Sequence, residues 1–380
     1  MRLRLPDRRQ LRAQPGRFLT IGAVAAAVLF AVLYVAVIAQ PVPDIGGNWR
    51  TTNFGSAIDN PGAFLYTMLD AITFAGLLFI VASGFSLIFG LMRTVNMAHG
   101  SLYLLGAYVA YEIQQRMTGR GFSVQPADVN TLEWVVPLLV AMGAIALVGL
   151  LIQQLFLRWN QGQDLRQALI TIAISVIVAD QVIAHFPRSV PEGSKPFGGN
   201  AVSLGWPGWT SRLVDLHVWD TRYSLARLVM LALGVSVGIA LWLWLYRTRT
   251  GMVIRAGVDD PQMTSAIGIN IQVFFAIAFA VGAALVALGA TVGTSQGNIS
   301  QGQDGVWLLY SLVVVIIGGM GSLLGAVTGS LLFGLVSAFS ITYLPVAGSD
   351  CCTQYSPVLT FVLMAVVLAF RPQGFFGRAG

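Results

Sequence analysis

The chain has 380 residues, of which 56% are hydrophobic and 10% charged, with a mean hydropathy of +0.74 and a formal net charge of +6. A typical soluble domain carries roughly 25% charged residues, so this composition excludes a soluble protein and predicts a polytopic membrane protein. The positive charge therefore needs no nucleic-acid partner, because basic residues also set the orientation of membrane proteins.

Ten apolar runs approach the roughly 20 helical residues that cross a hydrocarbon core of about 30 Å. The runs are continuous rather than alternating as in a barrel, so helix is the predicted spanning form. The predicted fold is an all-α bundle of about ten transmembrane helices, some of them short or broken. The predicted spans are 18–39, 63–92, 98–115, 134–157, 166–186, 224–246, 272–294, 306–319, 322–344 and 356–371.

The first run follows a basic cluster made of Arg2, Arg4, Arg8, Arg9, Arg12 and Arg17. Such clusters stay in the cytoplasm, and an even number of spans then places both termini there. Residues 1–62 are predicted to be a basic tail, an extra helix and a periplasmic linker, and 63–380 the main transmembrane domain. A secretory signal is the alternative for the first run, but its length and the lack of a small-x-small cleavage site before Gln40 favour an uncleaved helix.

A polar interruption, Arg93-Thr-Val-Asn-Met-Ala-His-Gly100, separates the second and third spans. A lone histidine is more often a hydrogen-bonded helix cap than a ligand. Broken helices in transporters, however, expose backbone groups that can line a path. Asn96, His99 and Gly100 are therefore candidates for a translocation path or a broken helix.

The long polar stretches Pro41–Pro61 and Pro187–Arg222 fall on the predicted periplasmic side. The second contains Trp206 and Trp209, and Trp is enriched at membrane interfaces. This stretch is either an interfacial cap or a docking surface for an external partner.

Few side chains suggest chemistry within the spans. Asp70 and Asp180 lie near predicted outer boundaries, which weakens an ion-relay role. The adjacent Cys351 and Cys352 are predicted to be unpaired, because a vicinal disulfide is strained. No metal site is predicted, and no cluster of His, Asp or Glu supports catalysis, so the chain is not expected to be an enzyme.

A charge-dense segment, residues 247–270, interrupts the apolar runs. Asp260 as N-cap, Pro261 at the first helical position and Gly268 as terminator predict a helix over 261–267. An isolated helix this short is unstable in water. It either packs on the ends of its own membrane helices or fits a groove of a cytoplasmic subunit.

No phosphate-binding loop of the form Gly-x-x-x-x-Gly-Lys-Ser/Thr is present, because the only lysine is Lys195 in Glu-Gly-Ser-Lys-Pro. If ATP drives transport, another polypeptide binds it. No cofactor is therefore expected on this chain.

Glycines dominate the junction of the eighth and ninth spans. The run Ile317-Gly-Gly-Met-Gly321 predicts a tight turn. Gly321, Gly325 and Gly329 form a tandem GxxxG on one face of the ninth span, and close helix packing is the simplest interpretation. Gly318 and Gly319 belong to the same predicted packing site.

Four separated motifs resemble the permease subunits of branched-chain amino acid ABC importers, the Liv type. The run from Ser83 to Gly100 is similar to a Gly-rich segment that leads into an Asn-Phe-Ala-His-Gly stretch in that family. The ending Arg371-Pro-Gln-Gly-Phe-Phe-Gly377 resembles its terminus, and Gly318 to Gly329 resembles its Gly-Gly-x-Gly-Ser run. The 247–270 segment resembles the family's cytoplasmic segment through these residues: Gly251, Arg255, Ala256, Asp259 or Asp260, Ala266, Gly268, Ile269 and Asn270.

The resemblance covers about residues 63–378 and implies an ABC-importer permease fold in a bacterial inner membrane. It also implies a second, related permease, two cytoplasmic ATPases that bind ATP and magnesium, and a periplasmic solute-binding protein. In such importers a coupling helix transmits ATPase closure, and this role is carried onto Asp260 to Gly268. Met97 in place of the usual aromatic residue, the added residues 1–62 and the Trp-rich loop depart from the family's pattern.

The cargo implied by the resemblance is branched-chain amino acids or a related small polar solute. Urea, amides and aromatic acids are alternatives within the same family. A stand-alone ion-coupled carrier is a further alternative, but it would need deep paired charges.

Overall fold

The structure is a computed structural model that describes residues 42–43, 49–50, 61–92, 96–119, 129–160, 162–185, 203–215, 221–298, 300, 302–343 and 356–377. These ranges are helical except for connecting turns and two short antiparallel ladders. In the first ladder β1 (Val42–Pro43) pairs with β2 (Trp49–Arg50), and in the second β3 (Leu213–Asp215) pairs with β4 (Arg222–Ser224).

Eleven α-helices lie within the described ranges. They are α1 (Pro61–Met92), α2 (His99–Thr118), α3 (Thr131–Ile152), α4 (Asp164–His185), α5 (Leu225–Arg247), α6 (Arg249–Asp259), α7 (Pro261–Ala266), α8 (Ile271–Gln296), α9 (Gln303–Gly318), α10 (Leu323–Tyr343) and α11 (Ser356–Phe370). Helix α3 continues into a π-helical turn, Gln153–Leu157, and a 3-10 turn, Arg158–Asn160. A further 3-10 turn spans Gly208–Ser211.

Nine of the ten predicted spans coincide with helices in these ranges, which confirms the all-α membrane fold. The first predicted span, 18–39, lies outside the described residues. Six described helices, α1, α3, α4, α5, α8 and α10, are long and apolar enough to cross a membrane. Helices α9 and α11 are apolar but shorter, and α2 is more polar because its second half carries Glu112, Gln114, Gln115 and Arg116.

Helices α1 and α8 form the centre of the bundle. Helix α1 packs on α10, α8 and α5, while α8 packs on α3, α1 and α2. The apolar windows of α1 and α8 are 72% and 67% buried, against 17% for α4 and for α5. Gly84 and Gly282 permit the close crossing of the two central helices, because a Cβ on Gly84 would lie 2.5 Å from the Gly282 carbonyl oxygen.

The bundle has two ends, which we name by their contents. The α6–α7 end holds the 247–270 segment, the α3–α4 connection, the α9–α10 turn and the C-terminal residues 371–377. The cap end holds residues 203–215, the start of α1 and the start of α5. Gly90, near the end of α1, meets Gly321 of the α9–α10 turn, with 3.0 Å from a Cβ on Gly90 to the Cα of Gly321.

Candidate functional site

The 247–270 segment folds into two helices rather than one. Helix α6 begins at Arg249, and Thr248 caps it by accepting a hydrogen bond from the Gly251 amide at 3.1 Å. A Cβ on Gly251 would lie 2.4 Å from the carbonyl oxygens of both Trp244 and Leu245. The turn from α5 into α6 is therefore too tight for a side chain at residue 251.

Helix α7 has the frame that its sequence predicts. The Asp260 carboxylate accepts a hydrogen bond from the Met263 amide at 2.9 Å, and Pro261 is the first helical residue. Thr264 donates its hydroxyl to the Asp260 carbonyl oxygen at 2.8 Å. The helix ends at Ala266, one residue earlier than predicted, and Gly268 follows with φ of 87°.

One side of the two-helix segment packs against α8, and the other side exposes apolar side chains. Ile254 of α6 is buried against Ile271 and Phe275 at the start of α8. Three large apolar side chains are instead exposed, namely Met252 at 63%, Met263 at 64% and Ile267 at 73%. Exposed apolar side chains at the end of a bundle, next to water, are typical of a surface that a partner covers.

Of the remaining residues that the sequence singles out here, Ala256, Ala266 and Gly268 lie on the exposed side. Asp259 is the last residue of α6. Arg255 places its guanidinium 4.8 Å from the centre of the Tyr246 ring, a cation–π contact. The structure thus brings most of the predicted coupling residues onto one short stretch, while their role in coupling stays a prediction.

A cavity of about 630 Å³ opens beside Arg255 at the α6–α7 end. Its walls come from α1, α5, α6, the α9–α10 turn and the C-terminal residues. The lining includes Ser86, Tyr246, Ser322 and Gln373. The cavity borders both α6 and α1, and beside it the two helices touch, since Leu87 of α1 packs against the cluster that contains Ile254.

Asn96, His99 and Gly100 lie where α2 begins, and all three are buried. The His99 Nε2 atom is 3.1 Å from the Val81 carbonyl oxygen, and its ring meets Phe85 edge-on at 5.0 Å. The Asn96 carboxamide accepts a hydrogen bond from the Ala98 amide at 3.1 Å. His99 thus packs against α1, and Gly100 packs against α9, where a Cβ on Gly100 would lie 2.0 Å from the Asp304 carbonyl oxygen. None of the three residues lines the cavity described above, and their place on a path stays a prediction.

The predicted glycine cluster lies at the contact of α9 with α10. A Cβ on Gly318 would lie 2.0 Å from the Gly325 carbonyl oxygen, and one on Gly329 would lie 2.1 Å from that of Val314. Gly319, with φ of 99°, and Gly321, with φ of 79°, form the turn. The placement of Gly321 on the α10 face is wrong, because α10 begins only at Leu323.

The C-terminal residues pack on the same turn, a contact that the sequence analysis missed. The amides of Phe375 and Phe376 donate to the carbonyl oxygens of Ile317 and Gly318 at 3.0 and 2.9 Å. A Cβ on Gly319 would lie 2.2 Å from the Gly377 nitrogen. Gly374 and Gly377, which follow Pro372, were the available signal for a tightly packed ending.

At the cap end, an ion pair joins the starts of α1 and α5. Arg227 pairs with Asp70 and lies near the rings of Tyr66 and Tyr223, at 5.5 and 5.8 Å from their centres. Burial raises the pKa of Tyr223 to about 12, so its hydroxyl stays protonated and donates to Asp70 Oδ1 at 2.9 Å. The charge of Asp70 is therefore neutralised by Arg227, as expected for a carboxylate with a structural role rather than one that carries ions.

Residues 203–211 form an ordered cap. The Gln114 side chain exchanges two hydrogen bonds with the Gly205 backbone, at 2.8 and 3.2 Å. Trp206 stacks on Trp134 with ring centres 5.2 Å apart. Trp209 is 46% exposed. Such anchoring suits either an interfacial cap or a docking surface.

Among the described residues, no group of three or more His, Cys, Asp or Glu could hold a metal ion.

Comparison with known proteins gives consistent matches along most of the chain. The sequence profile of the family described as "Branched-chain amino acid transport system / permease component" matches residues 67–368. The high-affinity branched-chain amino acid transport system permease protein LivH of Salmonella typhimurium is 27% identical over 331 residues, covering 83% of this chain and 96% of that protein. BraD of Pseudomonas aeruginosa, described in the same words, is 27% identical over 329 residues with the same coverage.

Among solved structures, PsaBC from Streptococcus pneumoniae in complex with Fab matches with a TM-score of 0.44 and 10% identity. The match covers 85% of this chain and 96% of that one.

Proposed function

Since the chain belongs to the family of permease components of branched-chain amino acid transport systems, we propose that it is the membrane-spanning subunit of a binding-protein-dependent importer. Its cargo is a branched-chain amino acid or a related small polar solute. Separate ATPase subunits supply the driving force, and this subunit makes or breaks no covalent bond.

The observation that carries this proposal is the bare side of the 247–270 segment. Helix α7 has six residues, far fewer than the roughly 12–15 that an isolated helix needs in water. Its Met263 side chain is 64% exposed, and Ile267 just beyond it is 73% exposed. A capped helix that presents apolar side chains to water fits the groove of a cytoplasmic partner.

The anchored side of the segment supplies the route by which such a partner acts on the membrane helices. Ile254 contacts Ile271 and Phe275 of α8. Gly251 contacts the last carbonyl groups of α5. Because α8 is central and α5 packs on α1, movement of the segment reaches both central helices. ATPase closure would in this way drive alternating access.

The proposed assembly contains a second permease subunit, two ATPases that bind ATP and magnesium, and a periplasmic solute-binding protein. The solute crosses between the two permeases. The orientation, with both termini in the cytoplasm, rests on the basic residues near the predicted inner ends of the spans.

The cargo assignment is supported by the names of the relatives, which are branched-chain amino acid permeases. Urea, amides and aromatic acids remain alternatives within the family. A stand-alone ion-coupled carrier is disfavoured, because Asp70 is paired with Arg227 near the start of α1 and Asp180 is exposed.

The test changes the residues that begin and end α7, and compares these variants with a substitution at a glycine of similar φ elsewhere in the chain. Gly268→Val forces a branched side chain into φ of 87°, and Asp260→Lys removes the N-cap. Both variants, assembled with the ATPases, should lose most solute uptake and most stimulation of ATP hydrolysis by loaded binding protein. Gly119→Val is the control, since Gly119 has φ of 63° and open space but lies at the opposite end of the bundle. Normal uptake by both α7 variants, or equal loss in the control, would argue against the coupling role.

A further inference from the structure

The connection between α3 and α4 presents an unusual combination of side chains at the α6–α7 end. We call it the α3–α4 corner, and it consists of Leu155, Phe156, Arg158, Trp159, Leu165 and Arg166. Four of these side chains are large, apolar and exposed, Trp159 at 77%, Leu165 at 74%, Leu155 at 60% and Phe156 at 46%. Together they form an apolar surface that this chain leaves uncovered within its described part.

The corner is held in one shape by local hydrogen bonds. The Gln167 side chain donates to the Asn160 carbonyl oxygen at 2.7 Å, and the Asn160 side chain donates to the Phe156 carbonyl oxygen at 2.8 Å. Leu157 is buried on the inner side. These bonds follow the stretch where α3 changes to π-helical and 3-10 geometry, and such local departures from α-helix are frequent at functional sites.

Two arginines flank the apolar side chains. Arg158 lies 5.8 Å from the centre of the Trp159 ring, and Arg166 is exposed in the first turns of α4. Within the described ranges, ion pairs join only Arg116 with Glu112 and Arg227 with Asp70, so neither arginine of the corner has a carboxylate partner there. Asp164 is the acidic residue between them and is itself exposed, which leaves the corner with a net positive charge.

The surroundings of the corner indicate a lipid rather than a protein as its occupant. Exposed apolar side chains continue along both helices beyond the corner, Leu147 and Leu151 on α3 and Leu169 and Ile172 on α4. Both helices are long and apolar enough to cross a membrane, so we expect these side chains to face hydrocarbon and the corner to lie where the hydrocarbon ends. Trp and Arg at such a boundary match the interface, where the indole ring is stable and the guanidinium meets phosphate.

We propose that the α3–α4 corner binds the phosphate headgroup of an anionic phospholipid in the leaflet on the α6–α7 side. Arg158 and Arg166 contact the phosphate, and Trp159, Leu155, Phe156 and Leu165 contact the upper acyl chains. Because Gln167 and Asn160 fix the connection, Arg158 and Arg166 are held close to the apolar side chains, with no carboxylate partner among the residues that the structure describes. The lipid would stabilise the end of α3 and the start of α4, at the same end of the bundle as the segment on which the proposed ATPase acts.

The test measures lipid retention by the purified full chain with native mass spectrometry. The probes are phosphatidylglycerol and phosphatidylethanolamine with identical acyl chains, titrated separately. Each of Arg158→Gln and Arg166→Gln should weaken phosphatidylglycerol binding about fivefold, which corresponds to about 1 kcal/mol per basic side chain at an anionic surface. Phosphatidylethanolamine binding should change far less.

Matched variants separate charge from folding. Arg158→Lys with Arg166→Lys keeps both charges and should retain phosphatidylglycerol. Arg116→Gln removes an exposed arginine at the other end of the bundle, where Glu112 already pairs with it, and should leave binding unchanged. Unaltered phosphatidylglycerol binding in the double Gln variant would overturn the proposal. So would an equal loss in Arg116→Gln, or a variant that keeps its lipid but loses an ATPase subunit from the assembled complex.

Discussion

The glycine contact between α9 and α10 and Gly268, at the end of α7, differ in what surrounds them. A Cβ on Gly325 would lie 2.3 Å from the Gly318 carbonyl oxygen, whereas a Cβ on Gly268 would meet nothing within 4 Å. Gly325 is therefore required by packing, and Gly268 by its φ of 87°. The first region holds the bundle together, while the second shapes a surface. Substitutions in the first should therefore lower stability, and substitutions in the second should lower activity.

Gly325→Ala tests the packed region and should have the largest effect on folding. The methyl group would collide with backbone, which cannot move aside as the end of a side chain can. We expect the free energy of unfolding to fall by about 3 kcal/mol, measured by denaturant titration in detergent micelles.

Gly143→Ala is the matched control, because Gly143 lies in helix α3 with open space around it. Alanine there should stabilise the helix by up to about 1 kcal/mol. Equal destabilisation by the two substitutions would mean that Gly325 does not act through its contact with Gly318.

Two ion pairs also differ in their surroundings, one being half-buried and the other exposed. Asp70 and Arg227 have side chains 30% and 28% exposed and lie among tyrosine rings, whereas the Arg116 side chain of the other pair is 76% exposed. Asp70→Asn should lower the free energy of unfolding by about 1–2 kcal/mol, because Arg227 keeps its charge in a half-buried position.

Glu112→Gln is the comparison for the exposed pair and should cost less than about 0.5 kcal/mol. Raising the salt concentration should reduce its effect further. If the two carboxamide variants were equally stable, the half-buried setting of Asp70 would contribute nothing.

Local signals predicted α7 well, because its cap, first residue and terminator are adjacent in sequence. Asp260, Pro261 and Gly268 each act within a turn of the helix. Helix α6 was missed because its sequence is polar and contains Gly251 and Gly257. Its stability comes from Ile254 against α8 and from the close approach to α5, and these contacts are tertiary.

The helix order and most span boundaries followed from apolar run lengths alone, since the bilayer imposes them. The packing of Phe375 and Phe376 on Ile317 and Gly318 could not be predicted in this way. It joins residues more than fifty positions apart and involves backbone groups. The failed placement of Gly321 on α10 has a similar cause, because its positive φ arises from the turn.

Met263→Ser should have the smallest effect on folding and still abolish much of the activity. The side chain is 64% exposed and follows a cap that uses only its backbone amide, so the free energy of unfolding should change by less than about 0.5 kcal/mol. If α7 inserts Met263 into a groove of the ATPase, uptake and stimulated ATP hydrolysis should both fall severalfold, as expected when a buried apolar contact is lost at an interface. Met320→Ser is the control, since Met320 is 54% exposed in the α9–α10 turn at the same end of the bundle. A stable Met263→Ser protein with full uptake would mean that α7 is covered by nothing, and its exposed apolar side chains would then need another explanation.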